Sequence, residues 1–209
     1  MHRRRRTALA LSAALLLGAP LLSACGSDAH PGAAAVVGGE RIEVSTVQAM
    51  VKDVRAVQSA ELIKDSGQLS RAKLYDLIVD RVVQRAADDA GVTVSRKELQ
   101  DARGLAEQSQ GKEQLAAMYI QQGVAPGRID DFVRRELLVN KVAAALGATD
   151  APDGQQKVNS AFIAAAEALH IDVNPRFGDW DPKKLGPVDY RAPWITQVTK
   201  TPEPVGAGA

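Results

Sequence analysis

Leu77-Ile78-Val79-Asp80-Arg81-Val82-Val83-Gln84-Arg85-Ala86-Ala87-Asp88-Asp89-Ala90-Gly91-Val92-Thr93-Val94-Ser95-Arg96-Lys97-Glu98-Leu99 holds the end of one helix, a short link and the start of another. Leu74, Leu77, Ile78, Val82 and Ala86 recur on one face at helical spacing. Gly91 then stops the helix, because a glycine takes the left-handed C-cap conformation without steric cost. Val92-Thr93-Val94 is β-branched and short, which suits an extended link. Ser95 followed by Glu98 is a capping box, where each side chain bonds the other residue's backbone amide at a helix start.

Upstream, Ala33–Val37 and Arg41–Val44 flank Gly38-Gly39 and predict a β-hairpin. Ser45-Thr46-Val47-Gln48 has a capping-box pattern, and Val47, Met50, Val51, Val54 and Val57 follow at helical spacing. The segment from Lys64 to Leu69 breaks this helix, and Ser70 is expected to cap the next. Downstream, Gly111 punctuates and a short helix runs over Glu113–Gln122, closed by Gly123. A long helix covers about 126–146, with Ile129, Phe132, Val133, Leu137 and Val142 spaced for burial. After the Gly-, Pro- and Asp-rich loop of 147–154, a further helix covers about 155–170. Ile171-Asp172-Val173 reads as extended, and Asn174-Pro175-Arg176-Phe177-Gly178 as turn. The expected fold class is therefore mainly α with a small β element. The hairpin and Ile171–Val173 lie at opposite ends of the fold, and their pairing would tie the ends together.

The N-terminus reads as a leader. Arg3 to Arg6 are cationic, Thr7 to Ala19 is apolar or small, and Leu22-Ser23-Ala24-Cys25 follows. A charged start, a short apolar run and small residues before a cut describe a secretory signal peptide. The run falls short of the roughly 20 residues that a spanning helix needs. Leu22-Ser23-Ala24-Cys25 resembles the lipobox of bacterial lipoproteins, which implies a diacylglyceryl group on Cys25 and cleavage before it. The expected organisation is a signal peptide over 1–24, a tether over 25–32, a helical domain over 33–182 and a disordered, Pro- and Gly-rich tail over 183–209. The expected location is the extracytoplasmic face of a cell membrane, held by the lipid on Cys25.

Charge and composition exclude several roles. The whole chain has 26 Lys and Arg against 25 Asp and Glu; losing the four leader arginines leaves a net charge of −3. A mildly acidic body argues against nucleic acid as a partner. Cys25 is the sole cysteine, so acylation leaves no thiol for disulfides, nucleophilic catalysis or metal. His2, His30 and His170 are too scattered for a metal site. Asp88-Asp89 and Asp130-Asp131 would point apart on a helix and read as solvated surface rather than as acid–base pairs. No phosphate loop, nucleophile elbow or zinc pattern occurs. No cofactor and no enzymatic activity are expected.

The quoted stretch, with the short helix over 114–123 and the amphipathic one over 129–141, resembles the N-terminal chaperone domain of the SurA/PrsA family. Val173-Asn174-Pro175-Arg176-Phe177-Gly178-Asp179-Trp180-Asp181 resembles the closing segment of the same domain. The resemblance implies a helical chaperone fold over about 33–182 that binds unfolded or newly exported polypeptides. In that family a parvulin-type prolyl isomerase domain separates the long helix from the closing one. Here Leu146 and Gln155 are joined by a short loop, so isomerase activity is not expected. Tyr75, Met118, Tyr119 and Phe132 are the candidates for a peptide-binding groove, since variable clients need adaptable apolar surface; plain core is the competing role. Trp180 and Phe177 are expected to pin the closing segment, and Trp194 is left without a role. The rival function is a scaffold that docks one specific envelope partner.

Overall fold

The structure, a computed structural model, describes residues 32–58 and 66–189. The leader, Cys25, the tether up to Pro31 and the tail from Tyr190, with Trp194, lie outside the described residues. Two strands, β1 (Ala33–Val37) and β2 (Glu40–Glu43), are followed by helices α1 (Val44–Val57), α2 (Ser66–Asp89), α3 (Arg96–Gln110), α4 (Lys112–Gln121), α5 (Ile129–Ala145) and α6 (Gly154–Ala168). Then come β3 (Asp172–Val173), β4 (Asp179–Asp181) and β5 (Gly186–Val188). The fold is mostly helical, as expected from the sequence.

The two chain ends of the domain do pair. Antiparallel β1 is the central strand of a three-stranded sheet of order β2-β1-β3. The β1–β2 register shifts between Ala33 and Ala35. Asn174 bonds the carbonyls beside that shift: its backbone N–H donates to the Ala34 oxygen at 2.9 Å and its Nδ2 to the Ala33 oxygen at 3.0 Å. Its Oδ1 accepts from the Arg176 amide at 3.1 Å, opening a 3-10 turn over Pro175–Phe177. The Asn-Pro-Arg-Phe sequence is thus a clasp between the closing segment and the first strand. At the other end of the hairpin, the Gly38 amide donates to the Leu169 carbonyl at 2.6 Å, satisfying a free group at the end of α6.

The principal core gathers β1, β2, α1, α2, α6 and the closing segment. Val37, Ile42, Val47, Leu74, Ile78, Val82, Ala165, Phe177 and Trp180 are buried there. Two smaller clusters flank it. Leu99, Leu115, Tyr119, Ile129 and Val133 join α3, α4 and α5, while Val83, Ala87, Leu138 and Val142 join α2 to α5. Phe177 and Trp180 pin the closing segment into the principal core, as read from the sequence.

The quoted stretch folds as expected. The amide of Val92 reaches back to the Ala87 carbonyl at 2.9 Å around Gly91, which sits at φ +67°. Ser95 and Glu98 form both bonds of the capping box that opens α3. Three expectations need correction. First, Ser45 does not cap α1: the helix begins at Val44 directly after β2, and the Val44 amide is satisfied by the Gly32 carbonyl at 2.8 Å instead of by a side chain. Second, Ser70 lies inside α2, which starts at Ser66; no proline interrupts 66–69, and extending a helix costs less than nucleating one. Third, the ordered fold runs past 182. Gly186–Val188 pair with Asp179–Asp181 as a second, two-stranded sheet. That pairing depends on tertiary contact, because Gly186-Pro187-Val188 carries no strand signal of its own. Leu137 is only half-buried, and its neighbour Leu138 takes the inward place on α5.

Candidate functional site

A groove of about 570 Å³ lies between α2, α5, α6 and the β4–β5 hairpin. Tyr75, Val79, Phe162, Trp180 and Leu185 supply apolar wall, and α5 adds Arg135, Glu136, Val139 and Asn140 along one side. Sequence dictates these places simply. On α2, Tyr75, Val79 and Val82 lie three or four residues apart and share a face. On α5, Glu136 and Asn140 are four apart, as are Arg135 and Val139.

Tyr75 anchors the hairpin to α2. Its hydroxyl donates to the Leu185 carbonyl at 2.9 Å, and its ring lies 5.8 Å from that of Trp180 at an interplanar angle of 33°. Burial pushes the Tyr75 hydroxyl above its ordinary pKa, with the charge of Asp76 adding to the shift and Arg135 opposing it. Trp180 is buried, and its Nε1 has no acceptor among the described residues. An unmet buried donor of this kind costs about 1–3 kcal/mol. Leu185 adopts φ +49°, a left-handed conformation that a non-glycine residue rarely takes.

Arg135 stands between this groove and a smaller cavity of about 90 Å³, lined by charged and apolar side chains, at the foot of α5. Its Nη1 donates to Asp80 at 2.9 Å, and the guanidinium lies 4.9 Å over the Phe132 ring. Burial raises the pKa of Asp80, and Arg135 works against that rise. Lys73 is buried in the same region, with its ammonium donating to Asp76 at 2.6 Å and to the Gly123 carbonyl at 2.9 Å.

The four candidate groove residues part company. Tyr75 lines the groove. Phe132 lines the small cavity and meets Tyr119 edge-on at 5.5 Å. Tyr119 is 5% exposed within the α3–α4–α5 cluster, where Met118 packs half-buried. Met118, Tyr119 and Phe132 are thus brought together, but away from Tyr75. Sequence reasoning missed Val79, Val139, Phe162 and Leu185 as groove residues, and assigned Trp180 a purely structural role. Their only signal was incomplete burial on otherwise apolar faces, which becomes visible once the helices are packed.

The adjacent acid pairs of the sequence are engaged at the surface. Asp88 accepts from Gln84, Asp89 pairs with Arg85, Asp130 with Arg103 and Asp131 with Arg128. Among the described residues no group of three or more His, Cys, Asp or Glu is placed to hold a metal ion, and no helix is long and apolar enough to cross a membrane. Leu146–Asp153 join α5 to α6 directly.

No curated protein and no solved structure matches the chain. One family model, that of the SurA-like N-terminal domain, matches residues 3–143. A match over more than half of the sequence establishes that the chain belongs to the SurA-like N-terminal domain family.

Proposed function

We propose that this protein is a lipid-anchored extracytoplasmic chaperone that holds unfolded or newly exported polypeptides and performs no catalysis. The family carries a chaperone-like role in general, and its N-terminal domain is the non-catalytic part. The observation that carries the reading further is the apolar groove beside α5, whose volume of about 570 Å³ falls within the usual range for ligand pockets. A docking scaffold needs no such open hollow, so the groove favours holding over docking. Phe162, Trp180 and Leu185, three of the eleven lining residues, lie beyond the span of the family match, so part of the groove's wall comes from the C-terminal part of this chain. Binding would draw on burial of apolar surface, worth about 25 cal/mol per Å² before ordering costs.

The same proposal assigns residues 1–24 to a signal peptide, Cys25 to the lipid, 25–32 to a tether and the outer face of the membrane to the mature chain. A diacylglyceryl group supplies the two chains that stable anchoring requires. The short α5–α6 connection supports the absence of an isomerase insert, because such a domain needs on the order of 100 residues.

The test is suppression of aggregation of a chemically unfolded client by the full chain. Concentration-dependent suppression is expected, and its absence at several-fold excess would sink the holding function. Cys25→Ala should move the protein out of the membrane fraction. Retention of that variant with membranes would refute the anchor alone. A proline-limited refolding assay is expected to show no acceleration.

A further inference from the structure

We infer that Arg128, Arg134 and Arg135 form an anion site between α2 and α5 that takes a compact phosphate group. The site does not depend on the client-binding reading of the groove.

Its residues are placed by helical spacing. Arg128, Asp131 and Arg135 lie three or four residues apart, and Arg134 follows Asp131 by three, so they crowd one side of the start of α5. Asp80 faces them from α2. Together they line a hollow of about 200 Å³. Three guanidiniums against two carboxylates leave one positive charge in excess there. In the neighbouring small cavity Lys73 and Asp76 neutralise each other at 2.6 Å, so that cavity does not remove the excess.

The three arginines are under-used. Arg128 pairs through Nη1 with Asp131 at 2.8 Å, Arg134 donates from Nη1 to the Val94 carbonyl at 3.0 Å, and Arg135 donates from Nη1 to Asp80 at 2.9 Å. Among the described residues each makes no other hydrogen bond or ion pair, although a guanidinium has five N–H donors. These are not freely solvated side chains: that of Arg135 is 19% exposed and that of Arg128 36%. Arg128 Nε is buried outright and has no acceptor among the described residues. A buried donor left unmet in this way calls for a water or an ion beside it. Arg128 is held at Nη1 alone, so its guanidinium can turn about that contact and present Nε to an oxygen in the hollow.

Water would meet single N–H groups and leave the charge excess standing. An anion with several oxygens answers both. Guanidiniums bond phosphate oxygens in pairs through charge-assisted hydrogen bonds. The hollow is smaller than the roughly 300–1,000 Å³ of pockets for drug-sized ligands, so it suits a phosphate group without a base or sugar. A singly charged phosphodiester would balance the excess. The shared chemistry is a phosphate group, carried either by free phosphate or by a lipid headgroup.

The experiment follows the arginine Nε–H signals of the full chain by ¹H–¹⁵N NMR at constant ionic strength. One titration uses sodium phosphate, a second uses dihexanoyl phosphatidylglycerol below its micelle concentration, and sodium chloride is the blank. Saturable shifts at Arg128 and Arg135 are expected with phosphate or phosphatidylglycerol and not with chloride, and the tighter of the two names the source. Arg134→Gln should weaken binding about tenfold, the worth of one charge-assisted bond. Arg134→Lys should restore only part of it, because an ammonium lacks the planar pair of donors. If circular dichroism shows that loss of the Val94 tie unfolds these variants, Arg128→Lys replaces them; it can keep the pair with Asp131 and should weaken binding severalfold. Shifts that grow linearly and equally with phosphate, phosphatidylglycerol and chloride would overturn the site, as would undiminished binding in a folded variant. Neither result bears on the holding function, which the aggregation assay tests by itself.

Discussion

Lys73→Met replaces a buried ammonium with an apolar side chain of similar length. Lys73 is 5% exposed, and its Nζ links two places: Asp76 on its own helix at 2.6 Å and the Gly123 carbonyl after α4 at 2.9 Å. Gln58 makes a second tie nearby, its Nε2 donating to the Ile120 carbonyl at 2.5 Å. Both bonds reach the C-terminal end of α4: the Ile120 carbonyl also accepts from the Gly123 amide at 2.9 Å, and Gly123 lies just past the helix. Methionine removes a charge-assisted bond to a carbonyl, worth about 1.5–3 kcal/mol. The ion pair adds less, about 0–1 kcal/mol, because the Asp76 side chain is 31% exposed and water can replace the lysine there. Loss of the ammonium also removes its own desolvation cost. The net expectation is a destabilisation of about 2 kcal/mol, or a fall in Tm of roughly 4–8 °C for a chain of this size. Thermal and urea unfolding followed by circular dichroism measure it. Hydrogen exchange should quicken at the amides of Gln122, Gly123 and Val124, which close α4, while those of β1 are protected as before. A Tm within about 1 °C of wild type, with unchanged exchange at 122–124, would refute the claim that the buried ammonium holds the end of α4.

Gly38→Ala should cost more than Gly39→Ala. Both glycines have positive φ, but an added Cβ at Gly38 would lie 2.8 Å from Leu169 Cδ2, whereas nothing lies within 4 Å at Gly39. Each loses about 1–2 kcal/mol for the left-handed conformation, and only the first also displaces the Leu169 side chain; equal losses in urea titrations would discount that contact. Glu98 has its pKa lowered to about 2, first by the hydrogen bond from Lys141 and then by those from Ser95. Its contribution to the α3 cap is therefore complete above the ordinary glutamate pKa of 4.5 and is lost as pH falls through about 2. NMR titration of the Glu98 carboxyl should show this, with Lys141→Met moving the midpoint upward; an ordinary midpoint in the wild type would count against the pairing. Asp80 has the opposite sign. Burial raises its pKa, so its ionised form weakens the fold, and lowering the pH through that raised pKa should stabilise the wild type relative to Asp80→Asn. No pH-dependent difference between the two would contradict it. Trp180→Ala should cost about 3–5 kcal/mol, while Trp180→Phe should stay within about 1–1.5 kcal/mol because it also removes the unmet indole N–H.

The sequence alone determined the helical class, the positions of α3, α4 and α5 to within a few residues, the Gly91 stop and the capping box at Ser95. All of these depend on interactions within a few residues, which leave a local trace. It also showed the hairpin, because Gly38-Gly39 between apolar runs is a local signal. The start of α1 was misread because the group that satisfies Val44 is the Gly32 carbonyl, across the hairpin. The strand pair β4–β5 was invisible because Trp180 opposite Pro187 and Asp179 opposite Val188 have no periodicity that calls for a sheet. The site was harder still. Tyr75 was identifiable as an exposed-prone aromatic on an amphipathic helix, but Met118, Tyr119 and Phe132 carry the same signal and are packed together elsewhere. Only the tertiary structure decided which half-buried residues share a hollow. Val79 from α2, Val139 and Asn140 from α5, Phe162 from α6 and Trp180 from the closing segment meet because Asn174 clasps that segment to β1. Sequence encodes each residue's own preference for water or core, whereas a groove is made by what the packed elements leave unfilled between them.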